Sequence, residues 1–200
     1  MSRPRGRPAH GKGVTLDAIL STALAMLDEG EGDGLSLRAL AARLGVTPMS
    51  LYHHVGDHAG LLRALSDRVY AQALEDAGDA GGAGGAGDAG DAGDAADHRA
   101  EIRGLLVRYY QAVARYPQLT LAIFATPESF EGVTRQITDR LTAFMTETVA
   151  APILWRDILI DHVHGSGLAA ASARGDVAKT QRLQEQYELA LDSLLNQLAV

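Results

Sequence analysis

Between Ser36 and Val55 the sequence sets two helix-length apolar patterns end to end, with only Gly45-Val46-Thr47 between them. Each pattern carries its own boundaries. Ser36 is a residue type that caps helix starts, and Gly45 is one that ends them, because glycine takes the left-handed conformation without a Cβ penalty. Thr47 is the next cap, and Pro48 follows at the first helical position, where a missing N–H leaves nothing unsatisfied. Two short helices, running to about Leu44 and about Val55, must therefore cross steeply over a tight turn. The crossing needs a small residue, which Ala41 supplies, while Leu40, Leu44, Val46, Leu51 and Val55 are spaced to close a small core with a preceding helix. These are the demands of a helix-turn-helix, whose second helix lies in a DNA major groove.

The preceding helix is legible from Thr15, with Leu16, Ile19, Leu20, Ala23, Leu24 and Leu27 on one face and the glycine-rich Gly30–Gly34 stretch at its end. After Val55, Gly56-Asp57 forms a turn and a fourth helix is expected from about Ala59 to Glu75. At about 100° per residue, Leu51 and Val55 share the buried face of the third helix, and Met49 and His53 point away from it. Met49 and His53 are therefore the candidates for base edges. Thr47, Ser50 and Tyr52 flank them and suit phosphate or mixed contacts, and His54 leans back toward the core. Ser36, Pro48 and His54 extend the candidate DNA-contacting set on the two helices.

Charge narrows the class further. The formal net charge is -7, which argues against a protein that coats nucleic acid without specificity. Positive charge is concentrated at the start, where Arg3, Arg5, Arg7 and Lys12 are interrupted by no acid. Arg5-Gly6-Arg7-Pro8 reads in two ways. It is either an AT-hook-like segment laid in a narrow minor groove, or a basic tail adding general attraction; either raises affinity. The chain has no cysteine, which removes disulfides, thiolate metal sites and cysteine nucleophiles. No apolar run approaches the roughly 20 residues needed to span a bilayer, and no apolar secretion segment follows the basic start, so a cytoplasmic location is expected.

Residues 77–97 are nearly all Ala, Gly and Asp, with no large apolar side chain to offset ordering, and are expected to be a flexible linker or loop. Helical periodicity then returns. One helix carries Ile102, Leu105, Leu106, Tyr109, Tyr110 and Val113 up to the Tyr116-Pro117 step, and a short segment covers Leu119–Phe124. A longer helix carries Phe130, Val133, Ile137, Leu141, Phe144 and Met145; another opens at Pro152; the last bears Leu183, Tyr187, Leu191, Leu194, Leu195 and Leu198. No alternating strand pattern is present, so the class is all-α. An apolar helical half beside a helix-turn-helix suggests a sensor. Tyr109, Tyr110, Phe124, Phe144, Met145, Trp155 and His162 are candidates to line its cavity, although each is also the kind of residue that fills a core. Trp155 suits a subunit contact equally well. His162 and His164 stand two apart and face different ways, so no metal site is expected. No nucleophile elbow, phosphate-cradling loop or dinucleotide fingerprint is present, so neither an enzyme nor a cofactor is expected.

The motifs resemble the TetR family of transcription regulators. The resemblance rests on the first apolar stripe, Leu35-Ser36-Leu37-Arg38-Ala39-Leu40-Ala41, Gly45-Val46, Ser50-Leu51-Tyr52-His53-His54-Val55 and Leu61-Leu62, covering roughly residues 15–65. It implies an N-terminal three-helix DNA-binding domain and a larger C-terminal helical domain that binds a small effector and pairs two subunits through its last two helices. Intramolecular packing of those two helices is the other reading of their small residues and apolar stripes. The resemblance also implies a near-palindromic operator, repression relieved by an effector, and a DNA contact for Arg38. It likewise makes His58 a candidate contact, with one departure: family members often carry a phosphate-contacting lysine at that place. The expected division is a basic arm over 1–14, the helix-turn-helix domain over 15–58, a connecting helix over 59–76, the linker over 77–97 and the effector and dimerisation domain over 98–200. The alternatives are a DNA-binding regulator with no effector and, from another class, a helical enzyme or interaction module.

Overall fold

The computed structural model describes residues 13–29, 35–75 and 91–198. Among these residues the chain is all-α, with nine α-helices, a single 3-10 turn and no strand. Helix α1 spans Leu16–Asp28, α2 Leu37–Leu44, α3 Pro48–Val55 and α4 His58–Leu74. The caps act as their residue types dictate: Thr15, Ser36 and Asp57 accept the N–H groups of Ala18, Ala39 and Gly60 at 3.2, 3.2 and 2.7 Å. The Asp57 cap starts α4 at His58 rather than at Ala59, the start inferred from periodicity.

Helix α5 spans Asp91–Arg115, α6 Pro117–Phe124, α7 Val133–Thr148, α8 Pro152–Ala171 and α9 Val177–Gln197, with the 3-10 turn at Pro127–Ser129. Two elements differ from their sequence patterns. Helix α5 begins inside the segment expected to be a linker, where the alanine content favours helix. Residues 77–90 of that segment, and Arg5 and Arg7 of the arm, lie outside the described residues. Phe130 is not on α7. The helix starts three residues later because Gly132, at φ 62°, breaks the chain direction.

A single apolar core runs from Ile19 to Leu198. Helix α4 belongs to both halves of the molecule, packing on α1 and α3 and also on α5, α6 and α7. Its C-terminal carbonyls are occupied by two arginines from the second half. Arg108 donates to Gln72 O, Ala73 O and Glu75 O at 2.9, 3.1 and 2.5 Å, and Arg140 donates to Leu74 O at 3.1 Å. These carbonyls have no intrahelical partner and carry the negative end of the helix dipole, so two cations are well matched to them. At the other end of the second half, Arg103 of α5 holds Asp192 and Glu188 of α9 at 2.6 and 3.1 Å. Among the described residues no helix is long and apolar enough to cross a membrane.

Candidate nucleic-acid interface and pocket

Helices α2 and α3 meet over Gly45, whose φ of 68° is the left-handed turn the motif requires. The Val46 N–H reaches back to Ala41 O at 3.0 Å and locks the crossing, with Ala41 buried beneath it. Leu51 and Val55 pin α3 to the core, leaving its opposite face bare. Met49 is 65% exposed and Tyr52 47%, and Pro48, His53 and His54 are exposed as well. His54 thus faces outward, although the helical wheel turns it partly toward the core; an eight-residue helix with only two buried positions leaves that flank uncovered. Ser50 is half-buried. Thr47 has the extended backbone of a cap but makes no bond to an α3 N–H; its hydroxyl lies 3.1 Å from that of Ser50.

The surrounding charges sort into engaged and open. Arg43 holds Glu29 through both guanidinium nitrogens at 2.6 and 2.5 Å, and this hydrogen bonding pulls the Glu29 carboxyl below its usual range. Arg38 and Ser36 are exposed on the start of α2. His58 is half-buried, and its Nε2 donates to Leu35 O at 2.9 Å, so the ring fastens the start of α4 to the entry of α2. That bond engages one of the two ring nitrogens.

In the second half, residues of α5, α6, α7 and α8 line an open pocket of about 650 Å³. Of the residues the sequence singled out, Tyr109 and Phe124 line it. The other five do not. Tyr110, one position past Tyr109, is turned about 100° away and stacks on Tyr187 of α9 at 4.1 Å. His162 also stacks on Tyr187, at 5.0 Å, and its buried Nε2 has no hydrogen-bond partner. Met145 is wholly buried in the core, and Trp155 packs against it half-buried. Phe144 lines a separate hollow of about 160 Å³ beside Glu101 and Arg140.

Most of the lining, including Phe130, Asp161 and His164, is not among the cavity candidates singled out from the sequence, and His164 is the one that bonds to a candidate. It lies 2.7 Å from the Tyr109 hydroxyl and edge-on to Phe124, with ring centroids 4.9 Å apart. Its signal was present: Asp157, Ile160, Asp161 and His164 fall three or four apart and share one face of α8. Burial pushes the His164 imidazole down to about 4, against a smaller upward pull from Asp161, so the ring is neutral near pH 7. Burial also pushes the Tyr109 hydroxyl up. Among the described residues there is no group of three metal-ligating side chains.

Residues 19–65 match the family model described as bacterial regulatory proteins, tetR family. The match covers the helix-turn-helix and the start of α4 and does not extend into the second half of the chain. The chain is 40% identical over 65 residues to the HTH-type transcriptional repressor DrrR1 of Streptomyces coeruleorubidus, a match covering 32% of this chain and 24% of that protein. The match thus takes in about a quarter of the length of that relative. Solved structures resemble the chain over most of its length. Mycobacterium smegmatis BioQ is 22% identical with a TM-score of 0.67, covering 93% of this chain and 98% of its own, and BioQ has also been solved with its natural double-stranded DNA operator. ActR of Streptomyces coelicolor in complex with (S)-DNPA is 19% identical with a TM-score of 0.60, covering 93% and 97%. At these identities the likeness is one of fold.

Proposed function

We propose that this chain is a TetR-family regulator: a homodimeric, sequence-specific DNA-binding transcription regulator acting in the cytoplasm, a repressor released from its operator by a small molecule. The observation that carries the reading is the bare outer face of α3, where Met49, Tyr52 and His53 stand exposed on a helix pinned rigidly from behind. Exposed large side chains on a fixed helix are what a groove reader needs. Met49 suits the apolar methyl of thymine and His53 a base-edge hydrogen bond. Thr47, Pro48, Ser50, Tyr52, His54, Ser36 and Arg38 surround them as phosphate or mixed contacts, and Arg5 and Arg7 add minor-groove or general attraction. The operator-bound BioQ structure and the repressor relative support the DNA half of the proposal.

The pocket supports the effector half, as does the ligand-bound ActR structure. Phe130 lines the pocket, and the residues after it grip α4: Glu131 pairs with Arg63 at 2.6 Å, and the Val133 N–H donates to Asp67 at 2.8 Å. A ligand pressing on this turn therefore loads the helix that carries the DNA-binding head. Two heads in a symmetric pair enter successive major grooves roughly 34 Å apart, and a shift in α4 changes that spacing. The exposed Leu154 of α8 and Leu189 of α9 suit the pairing surface.

Fluorescence anisotropy against the DNA upstream of the chain's own reading frame tests the reading. Met49→Ala with His53→Ala is expected to weaken binding at least about tenfold, since each base contact contributes about 1–3 kcal/mol, with melting temperature and helicity unchanged. Binding that stays as tight in this double variant overturns the proposal.

A further inference from the structure

We propose that the pocket lined by α5, α6, α7 and α8 is selective for an organic cation with a flat aromatic body. This rests on the reading of that pocket as the effector site. The argument begins with charge. Four lining side chains are ionisable in the relevant range: Arg156, Asp157, Asp161 and His164. Arg156 is already engaged, donating through Nε and Nη2 to Asp157 at 2.8 and 2.6 Å and through Nη1 to the Thr142 hydroxyl at 3.2 Å. His164 is neutral near pH 7. Asp161 has neither a hydrogen-bond nor an ion-pair partner among the described residues. The lining therefore carries one unmatched negative charge, and its only guanidinium is neutralised before a ligand arrives. An anionic ligand meets a repulsive carboxylate and no open cation, which is discrimination by an unfavourable contact as much as by a favourable one.

Shape and surface complete the case. Phe124 and Phe130, 53% and 48% exposed, present aromatic rings to the pocket, and Tyr109 forms part of its wall. Ring faces attract cations and stack flat apolar bodies. A pocket of about 650 Å³ lies within the range typical for drug-sized ligands. A ligand of several fused rings with an amine fits these demands, placing its rings among the aromatic side chains and its charge at Asp161.

The test uses two flat probes of nearly the same body and opposite charge, 9-aminoacridine and acridine-9-carboxylate, titrated by fluorescence into the full chain. The cation is expected to bind at least about fivefold tighter, the scale of one partly exposed charge pair with a cation–π contribution. Asp161→Asn should remove most of that preference, and Phe124→Ala should weaken both probes. Equal or tighter binding of the carboxylate, or a preference untouched by Asp161→Asn, overturns the proposal. If neither acridine binds, the proposal also falls, and a thermal-shift panel of neutral and anionic compounds separates it from its foundation. A hit abolished by Phe124→Ala leaves the effector site standing and only the class wrong; no hit in either set removes the effector reading as well.

Discussion

Gly132 joins two features a side chain cannot satisfy together. Its φ is 62°, and a Cβ there would stand 2.3 Å from Asp67 Oδ1, the atom that accepts the Val133 N–H. Gly132→Ala therefore strains the backbone and pushes on the bond that ties α7 to α4. A loss of about 1–3 kcal/mol is expected, read by urea denaturation, with Asp67→Ala removing the same tie without the strain. His164 gives a second residue-scale expectation. Its imidazole is held near 4 against an ordinary value of 6.5, so between those values the unfolded chain binds a proton that the folded chain does not. Stability is thus fully present above about 6.5 and falls as pH drops toward 4, by at most about 3 kcal/mol. His164→Asn should flatten that slope between melts taken at about pH 7.5 and about pH 5; an unchanged slope means other groups set it. At this scale the sequence spoke unevenly. The exposed face of α3 follows from helical spacing because its buried face is fixed by two residues, Leu51 and Val55. The pocket lining does not, because α8 is apolar on several sides and spacing alone cannot say which side meets a cavity. His162 and His164 illustrate the difference: two positions apart on one helix, the first stacks against α9 and the second enters the pocket.

Among the elements, α5 and α8 come close because Gly167 lets them. A Cβ at Gly167 would stand 2.6 Å from Val113 Cγ1 on α5. Gly167→Ala is expected to cost about 1–3 kcal/mol by overpacking, and Val113→Ala should recover part of that loss when the two are combined. The double variant being less stable than the sum of the singles would show that the space is not shared. Element boundaries were legible wherever a cap or breaker stood at them, as at Ser36, Gly45, Pro48, Pro117 and Pro152. They were not legible at Asp91 or at Gly132. In the first case a run of Ala, Gly and Asp reads as unstructured because it lacks apolar periodicity, while its alanines still accept the helix that the following turns nucleate. In the second, Phe130 continues the apolar spacing of α7, and only the backbone turn at Gly132 separates it from that helix.

For the whole molecule, the two halves share α4, and the polar grips on that helix come from α5, from α7 and from the turn that precedes α7. Arg108 and Arg140 hold its C-terminal carbonyls, and Glu131 and Val133 hold its middle at Arg63 and Asp67. A dimer built on α8 and α9 would therefore fix the positions of both α4 helices, and through them both copies of α3. Two outcomes follow from that rigidity. Leu189→Glu places a charge at an exposed apolar position of α9, and analytical ultracentrifugation is expected to show a shift from dimer toward monomer with loss of operator affinity, although Leu189 lies far along the chain from α3. DNA with one half-site displaced by five base pairs should bind with nearly the affinity of a single half-site, because the second α3 then meets the wrong side of the duplex. If Leu189→Glu stays dimeric but binding still tolerates the displaced half-site, the heads are not held by α4 as described, and the coupling between pocket and groove must run through a part of the chain other than this helix.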